Sequence, residues 1–435
     1  MTRRLSEVLW VVGGQGVTAL GTLLGVRILT QFLPPAAYGL VSLALGISAL
    51  AITLIAAPLT QAAMHFFPGM ATKGSARTLL KSLRRCFLHM APWVAAAGVI
   101  GAAAFMQWGG GSPLLVVILF VLLASDCWRS ANLSLLNAAR LHRRYGIWTA
   151  ADSWGRPLLA SAVVLLLGPS PVAVLAAYAS VSAILVIVFS GRVWSDDSQL
   201  AASLPAQEAR SLDARLWSYA LPLLPLGIIS WASSLGDRYM IGGLLGVAQA
   251  GVYAALYGLA GNPFLIVQGT LEQGLRPIYQ AAVTAADYPR AQRTLRLWVG
   301  ASIGICAAGV LVFVFGHELI ASFLVGKPYR YAASLMPWIA AGYGIRAVSY
   351  VFERVCYAYG KTHRVLMTQL CAVLTAAMLT PLGVLTLGLK GAAMAVPAYF
   401  SVQLSMAIVF ARRTLREAAR APEPLTVVTA AATSA

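Results

Sequence analysis

The chain has 435 residues, of which 59% are hydrophobic and only 11% charged, less than half the roughly 25% charge of an average soluble protein. That balance excludes a soluble globular protein and marks a polytopic membrane protein. The net charge of +18 then fits loops flanking a membrane, where Lys and Arg collect on the cytoplasmic side, rather than a nucleic-acid surface.

The chain opens "MTRRLSEVLWVVGGQGVTALGTLLGVRIL". Two arginines precede an apolar run, but it is longer than a signal-peptide core and no small-residue cleavage site closes it. It reads as a retained first helix. Apolar stretches bounded by turns or charges predict twelve spans. Six lie at 8–29, 38–59, 87–107, 113–136, 147–167 and 171–190, and six at 216–240, 251–275, 297–315, 332–355, 365–387 and 391–411. The fold class expected is an all-α polytopic membrane protein with two six-helix lobes. The first lobe is 1–190, a cytoplasmic connecting loop is 191–215, the second lobe is 216–411, and a cytoplasmic tail is 412–435, with disorder expected beyond Arg420.

Orientation follows from counting. With the N-terminus inside, the inner segments hold 24 basic residues and the outer loops hold three, Lys327, Arg330 and Lys390. The asymmetry places both termini in the cytoplasm and supports an even number of spans. Five arginines remain inside the spans: Arg27, Arg129, Arg156, Arg238 and Arg346.

The halves echo each other. "YGLVSLA" opens the second span and "AGVYAAL" the eighth, and aligning Gly39 with Gly251 gives an offset of 212 residues. The fourth and tenth spans each carry a mid-span arginine followed by a His-Arg pair, His142-Arg143 and His363-Arg364. These echoes predict a six-helix unit duplicated in parallel.

A charged side chain at mid-bilayer costs about 2.5–3.5 kcal/mol on insertion scales, so it faces protein or a water-filled cavity. Asp152 stands one turn before Arg156, Asp126 three residues before Arg129, and Glu272 four before Arg276. Each acid can hold its arginine, as a supporting ion pair or as a purely structural one. Arg346 has no acid at three or four residues' distance, which makes it the first candidate for an anion ligand. Arg27 and Arg238 lie near outer span ends, where snorkelling to headgroups is the simpler account. Acids without a basic neighbour are essentially absent from the spans, so the embedded charge is net positive and suits an anion; arginine's planar fork suits phosphate.

No P-loop and no GxSxG occurs, so no enzyme activity is read. The five histidines lie at span boundaries and cluster with no acid, and the five cysteines show no CxxC. Neither a metal nor a cofactor is called for. "GTLLG" at 21–25 predicts close helix packing. Prolines inside the spans, among them Pro58, Pro92, Pro157 and Pro222, predict kinks.

Two stretches carry a resemblance: "LTQFLPPAAYGLVSLALGIS" at 29–48 and "YALPLLPLGIISWASSLGDRYMIGGLLGVAQAGVYAALYGLAG" at 219–261. With the six-plus-six layout they resemble the polysaccharide transporter family. These are the Wzx-type lipid-linked oligosaccharide flippases of the multidrug/oligosaccharidyl-lipid/polysaccharide exporter superfamily. The resemblance implies lobes around a central cavity, alternating access, and a bacterial inner-membrane location. It implies as cargo a glycan on polyprenyl diphosphate, moved from the inner to the outer leaflet for surface polysaccharide. Polysaccharide polymerase and export machinery are the partners such a carrier would serve. The arginines fit as diphosphate ligands: Arg346, Arg156 and Arg129 first, then Arg27, Arg238 and Arg276, with Asp152, Asp126 and Glu272 in support. Two rivals stand beside this reading. A cation-coupled multidrug antiporter of the same superfamily needs an unpaired acid. An oligosaccharide polymerase or ligase needs a large outer loop, and the longest available is 316–331.

Overall fold

The computed structural model describes residues 2–72, 76–107, 114–139, 141–192 and 206–420. Among them, fourteen α-helices run as twelve rods. From the N-terminus these are α1 (Thr2–Phe32), α2 (Pro35–Ala51) leading into α3 (Ala57–Thr72), α4 (Ala76–Gln107), α5 (Leu114–Ala138), α6 (His142–Leu167) and α7 (Pro171–Arg192). Then come α8 (Ala206–Ala220) leading into α9 (Leu224–Leu244), α10 (Val247–Thr284), α11 (Tyr288–Leu324), α12 (Met336–Ala358), α13 (Thr362–Leu387) and α14 (Leu389–Arg420). Every predicted span coincides with one rod. The rods are helical throughout because hydrocarbon offers no partner for backbone N–H and C=O groups, which must pair within the segment.

Among the described residues, nine stretches are long and apolar enough to cross a membrane. The rods that fall short are α1, α4 and α12, and α12 does so because it carries Arg346, Glu353 and Arg354. Large apolar side chains stand outward, with Leu166, Phe315 and Ile187 more than three-quarters exposed. A soluble protein does not leave such faces bare; here they meet lipid.

The helices overrun their apolar cores. α10 continues past Arg276, α11 starts ahead of Arg290, Arg293 and Arg296, and α14 runs to Arg420. Basic residues assigned to inner loops therefore stand on helix ends, where the hydrogen-bonded backbone simply continues past the bilayer edge. The expected outer loop 316–331 is likewise mostly helix: α11 reaches Leu324, and a 3₁₀ segment from Lys327 to Leu335 leads into α12. Most of the connecting segment, 193–205, and the tail beyond Arg420 lie outside the described residues.

Only some prolines interrupt a helix. Pro58 has no N–H for the Leu54 carbonyl, and the register widens there into one π turn, Ile52–Ala56. Pro222 sits in the 3₁₀ turn Leu221–Leu223 that joins α8 to α9. Pro92, Pro157, Pro263, Pro277, Pro381 and Pro397 lie inside unbroken helices, as membrane helices tolerate.

Contacts group the described residues into two units. The first comprises those within Met1–Ala255 together with Ser322–Arg330. Its α1 lies along α6 through the "GTLLG" face: a Cβ on Gly21 would reach the Trp154 ring at 2.8 Å, and one on Gly25 the Pro157 ring at 3.1 Å. The unit also contains a symmetric crossing of α2 and α10. A Cβ on Gly39 would stand 2.1 Å from the Val247 carbonyl oxygen, and one on Gly251 would stand 2.1 Å from that of Pro35. Pro35 and Val247 are separated by the same 212 residues as Gly39 and Gly251. The glycines aligned by sequence thus meet in one reciprocal contact.

The second unit comprises the described residues within Leu256–Ala321 and Tyr331–Ala435. Its α12, α13 and α14 pack on one another, and Tyr279, Trp298, Val355, Tyr399 and Phe400 fill its interior.

Candidate functional site

In the first unit, the two acid–arginine pairs read from sequence are one network. Asp126 and Arg129 share a face of α5, and Asp152 and Arg156 share a face of α6. Arg156 binds Asp152 through Nε at 2.9 Å and also pairs with Asp126 on the other helix. Arg129 stands 3.5 Å from Asp126 and reaches back to Asp152 at 3.3 Å. Ser182 of α7 donates to Asp126 Oδ1 at 2.8 Å and also receives Arg156; Ser48 of α2 donates to Oδ2 at 3.2 Å. The Tyr178 ring lies 5.6 Å from the Arg156 guanidinium. Two carboxylates oppose two guanidiniums, so the network is neutral. It ties α2, α5, α6 and α7 together at a depth where an unpaired charge would be costly.

Arg27 and Arg238 do not snorkel. Arg27 Nη1 donates to the carbonyls of Val325 at 2.9 Å and Ser322 at 3.4 Å, at the C-terminal end of α11. Arg330 donates to the same two carbonyls at 3.2 and 2.7 Å. Unpaired carbonyls and the negative end of the helix dipole draw both cations there. Arg238 Nη1 donates to Ser42 Oγ at 3.2 Å, and its backbone N–H donates to Asp237. Asp237 also accepts from the Tyr253 hydroxyl at 2.8 Å.

In the second unit the charge does not balance. Arg346 is 8% exposed, and among the described residues no carboxylate lies within ion-pair distance of it. Its guanidinium sits 5.3 Å from the Phe400 ring, 5.4 Å from Tyr350 and 5.6 Å from Tyr343, and it donates to the Tyr350 hydroxyl at 3.2 Å. Ring faces attract a cation but do not neutralise it. Two turns on, Arg354 stacks near Tyr350 and Tyr357 and pairs with Glu272 at 2.8 Å. Glu272 also holds Arg276 at 3.1 Å. Arg346, Arg354 and Arg276 are therefore linked through Tyr350 and Glu272, with Glu353 as a second carboxylate within electrostatic reach of Arg354 and Arg346.

Arg354 and the rings around it were missed in the sequence, although the signal was there. Tyr343, Arg346, Tyr350, Arg354 and Tyr357 recur at steps of three and four, one stripe of a helix. A second omission is a correction. Glu353 is a buried acid that forms no salt bridge among the described residues. It is 1% exposed and accepts from Gln403 Nε2 at 2.7 Å and Gln369 Nε2 at 3.3 Å. Successive helix residues point about 100° apart, and its chain neighbour Arg354 pairs with Glu272. Among the described residues no group of three His, Cys, Asp or Glu side chains could hold a metal.

Comparison with known proteins places these features. The MatE family model matches residues 222–382. No curated protein sequence matches the chain. An inward-facing multidrug resistance MATE family transporter of the MOP superfamily superposes with a TM-score of 0.65 at 15% identity, covering 93% of this chain and 96% of that one. The lipid II flippase MurJ, in an inward closed conformation, gives 0.68 at 9% identity, covering 93% and 87%. The Vibrio cholerae MATE transporter VcmN gives 0.60 at 14%, covering 96% and 99%. The MatE model spans less than half of the chain, and the solved structures, at 9–15% identity, share its fold, an all-helical multi-pass membrane architecture.

Proposed function

We propose that the protein is a flippase for a polyprenyl-diphosphate-linked oligosaccharide, working by alternating access in the bacterial cytoplasmic membrane with both termini inside. The observation that carries this reading is Arg346, a buried guanidinium with no salt-bridge partner among the described residues. A cation held so in a membrane protein asks for an anion, and its free N–H groups match phosphate oxygens in the plane of the fork. Arg354 and Arg276, with one glutamate between them, extend the positive field for a second phosphate. The lipid flippase among the fold neighbours supports a lipid-linked cargo for this architecture.

In a strain lacking the gene, the lipid-linked oligosaccharide should accumulate with its glycan on the inner face, and the wild-type gene should relieve it. No accumulation would refute the proposal.

Glu353 favours a second reading. A buried carboxylate without a salt bridge is the group a cation-coupled multidrug antiporter needs, and multidrug transporters share the fold. That reading requires the gene to protect cells against cationic dyes and Glu353→Gln to abolish the protection.

A further inference from the structure

The first unit contains a groove that the transport site does not use. It runs between α4, α5 and α7 with a volume of about 600 Å³, within the range of small-ligand sites. Along α4 it is lined from Arg84 through Leu88 to Val94, and along the antiparallel α5 from Trp128 to Phe120. Ser190, near the end of α7, closes the same end as Arg84 and Trp128. Ten residues separate Arg84 from Val94, about 15 Å at 1.5 Å per residue. That equals one leaflet, half of a hydrocarbon core of about 30 Å. The groove is therefore graded, with a cation, an indole and a hydroxyl at one end and bare hydrocarbon at the other.

The charge at the polar end is available. Arg85, the next residue, is committed to Asp213 at 3.1 Å. Among the described residues Arg84 has no hydrogen-bond or ion-pair partner, and Lys81 stands one turn away, exposed. The apolar end opens sideways, since Leu88 is 62% and Phe120 37% exposed. A ligand that fits both ends has one negative headgroup and a hydrocarbon chain one leaflet long. We propose that this groove binds a single anionic phospholipid, with its phosphate on Arg84 and one acyl chain laid along Leu88, Val94 and Phe120. On the orientation proposed above, it is a lipid of the inner leaflet. Cys127 lines the groove next to Asp126, so the lipid would pack directly behind the ion network of α5.

The test is native mass spectrometry of the purified full-length protein, offered phosphatidylglycerol against phosphatidylethanolamine. Wild type should retain one phosphatidylglycerol preferentially. Arg84→Gln should reduce that preference about fivefold, the equivalent of one surface cation worth about 1 kcal/mol. Arg293→Gln, which removes an exposed cation on α11, should leave it unchanged. A phosphatidylglycerol with a photoreactive group midway along its acyl chain should crosslink to 87–94 and 120–128, and lose those crosslinks in Arg84→Gln. Equal effects of the two substitutions, or crosslinks spread over all lipid-facing helices, would overturn the site. Neither readout measures transport, so failure here leaves the flippase reading standing.

Discussion

Replacing Asp126 by Asn tests the four-charge network most sharply. The side chain is 3% exposed and meets Arg156, Arg129, Ser182 and Ser48. The substitution keeps the shape but leaves two guanidiniums facing one carboxylate. Breaking a buried pair by removing one partner costs about 3–5 kcal/mol. The double substitution Asp126→Asn with Arg156→Gln restores neutrality and spares the Arg129–Asp152 pair at 3.3 Å. It should therefore be more stable than the single variant, by a coupling of up to about 3 kcal/mol. Thermal unfolding in detergent, followed with a thiol-reactive dye, suits this comparison because Cys86, Cys127, Cys306 and Cys356 are buried and react only once the fold opens. Losses that simply add, or an Asp126→Asn variant as stable as wild type, would refute the network.

Four further outcomes follow from the geometry. Gly39→Ala should destabilise the fold by about 1–3 kcal/mol in the same melt, because its Cβ meets a backbone carbonyl that cannot move aside. Gly243→Ala, with nothing within 4 Å of its Cβ, should be neutral or stabilising. Arg27→Gln should cost no more than about 1–2 kcal/mol, since Arg330 holds the same carbonyls; combining it with Arg330→Gln should cost more than the sum. Arg346→Lys keeps the charge but loses the planar fork, and should slow flipping roughly tenfold, as expected for one charged hydrogen bond of about 1.5 kcal/mol; the membrane level of the protein should not change.

Span number was legible because a bilayer imposes a long apolar window on every crossing. All twelve predicted spans therefore found their rods, whereas their ends fell short where helices such as α11 continue into basic turns. The 212-residue offset also marked two glycines that turned out to touch. Site geometry was legible only within one helix. Spacing showed that Asp152 can reach Arg156, but not that α5 and α6 would pack with Asp126 facing both. The same limit hid the commitments of Arg27 to carbonyls 295 and 298 residues away in sequence. Counting Arg354 with the inner segment left Glu353 out of the embedded acids, whereas α12 buries it.

The most direct measurement of the central claim uses purified protein in proteoliposomes loaded with a fluorescent polyprenyl-diphosphate oligosaccharide. Transbilayer movement is read by quenching from outside, for wild type and for Arg346→Gln. The account predicts protein-dependent flipping by wild type, slowed at least tenfold in the variant, and no acceleration of a neutral lipid-linked glycan. Wild-type flipping no faster than in protein-free vesicles, or equal rates for wild type and variant, would contradict it.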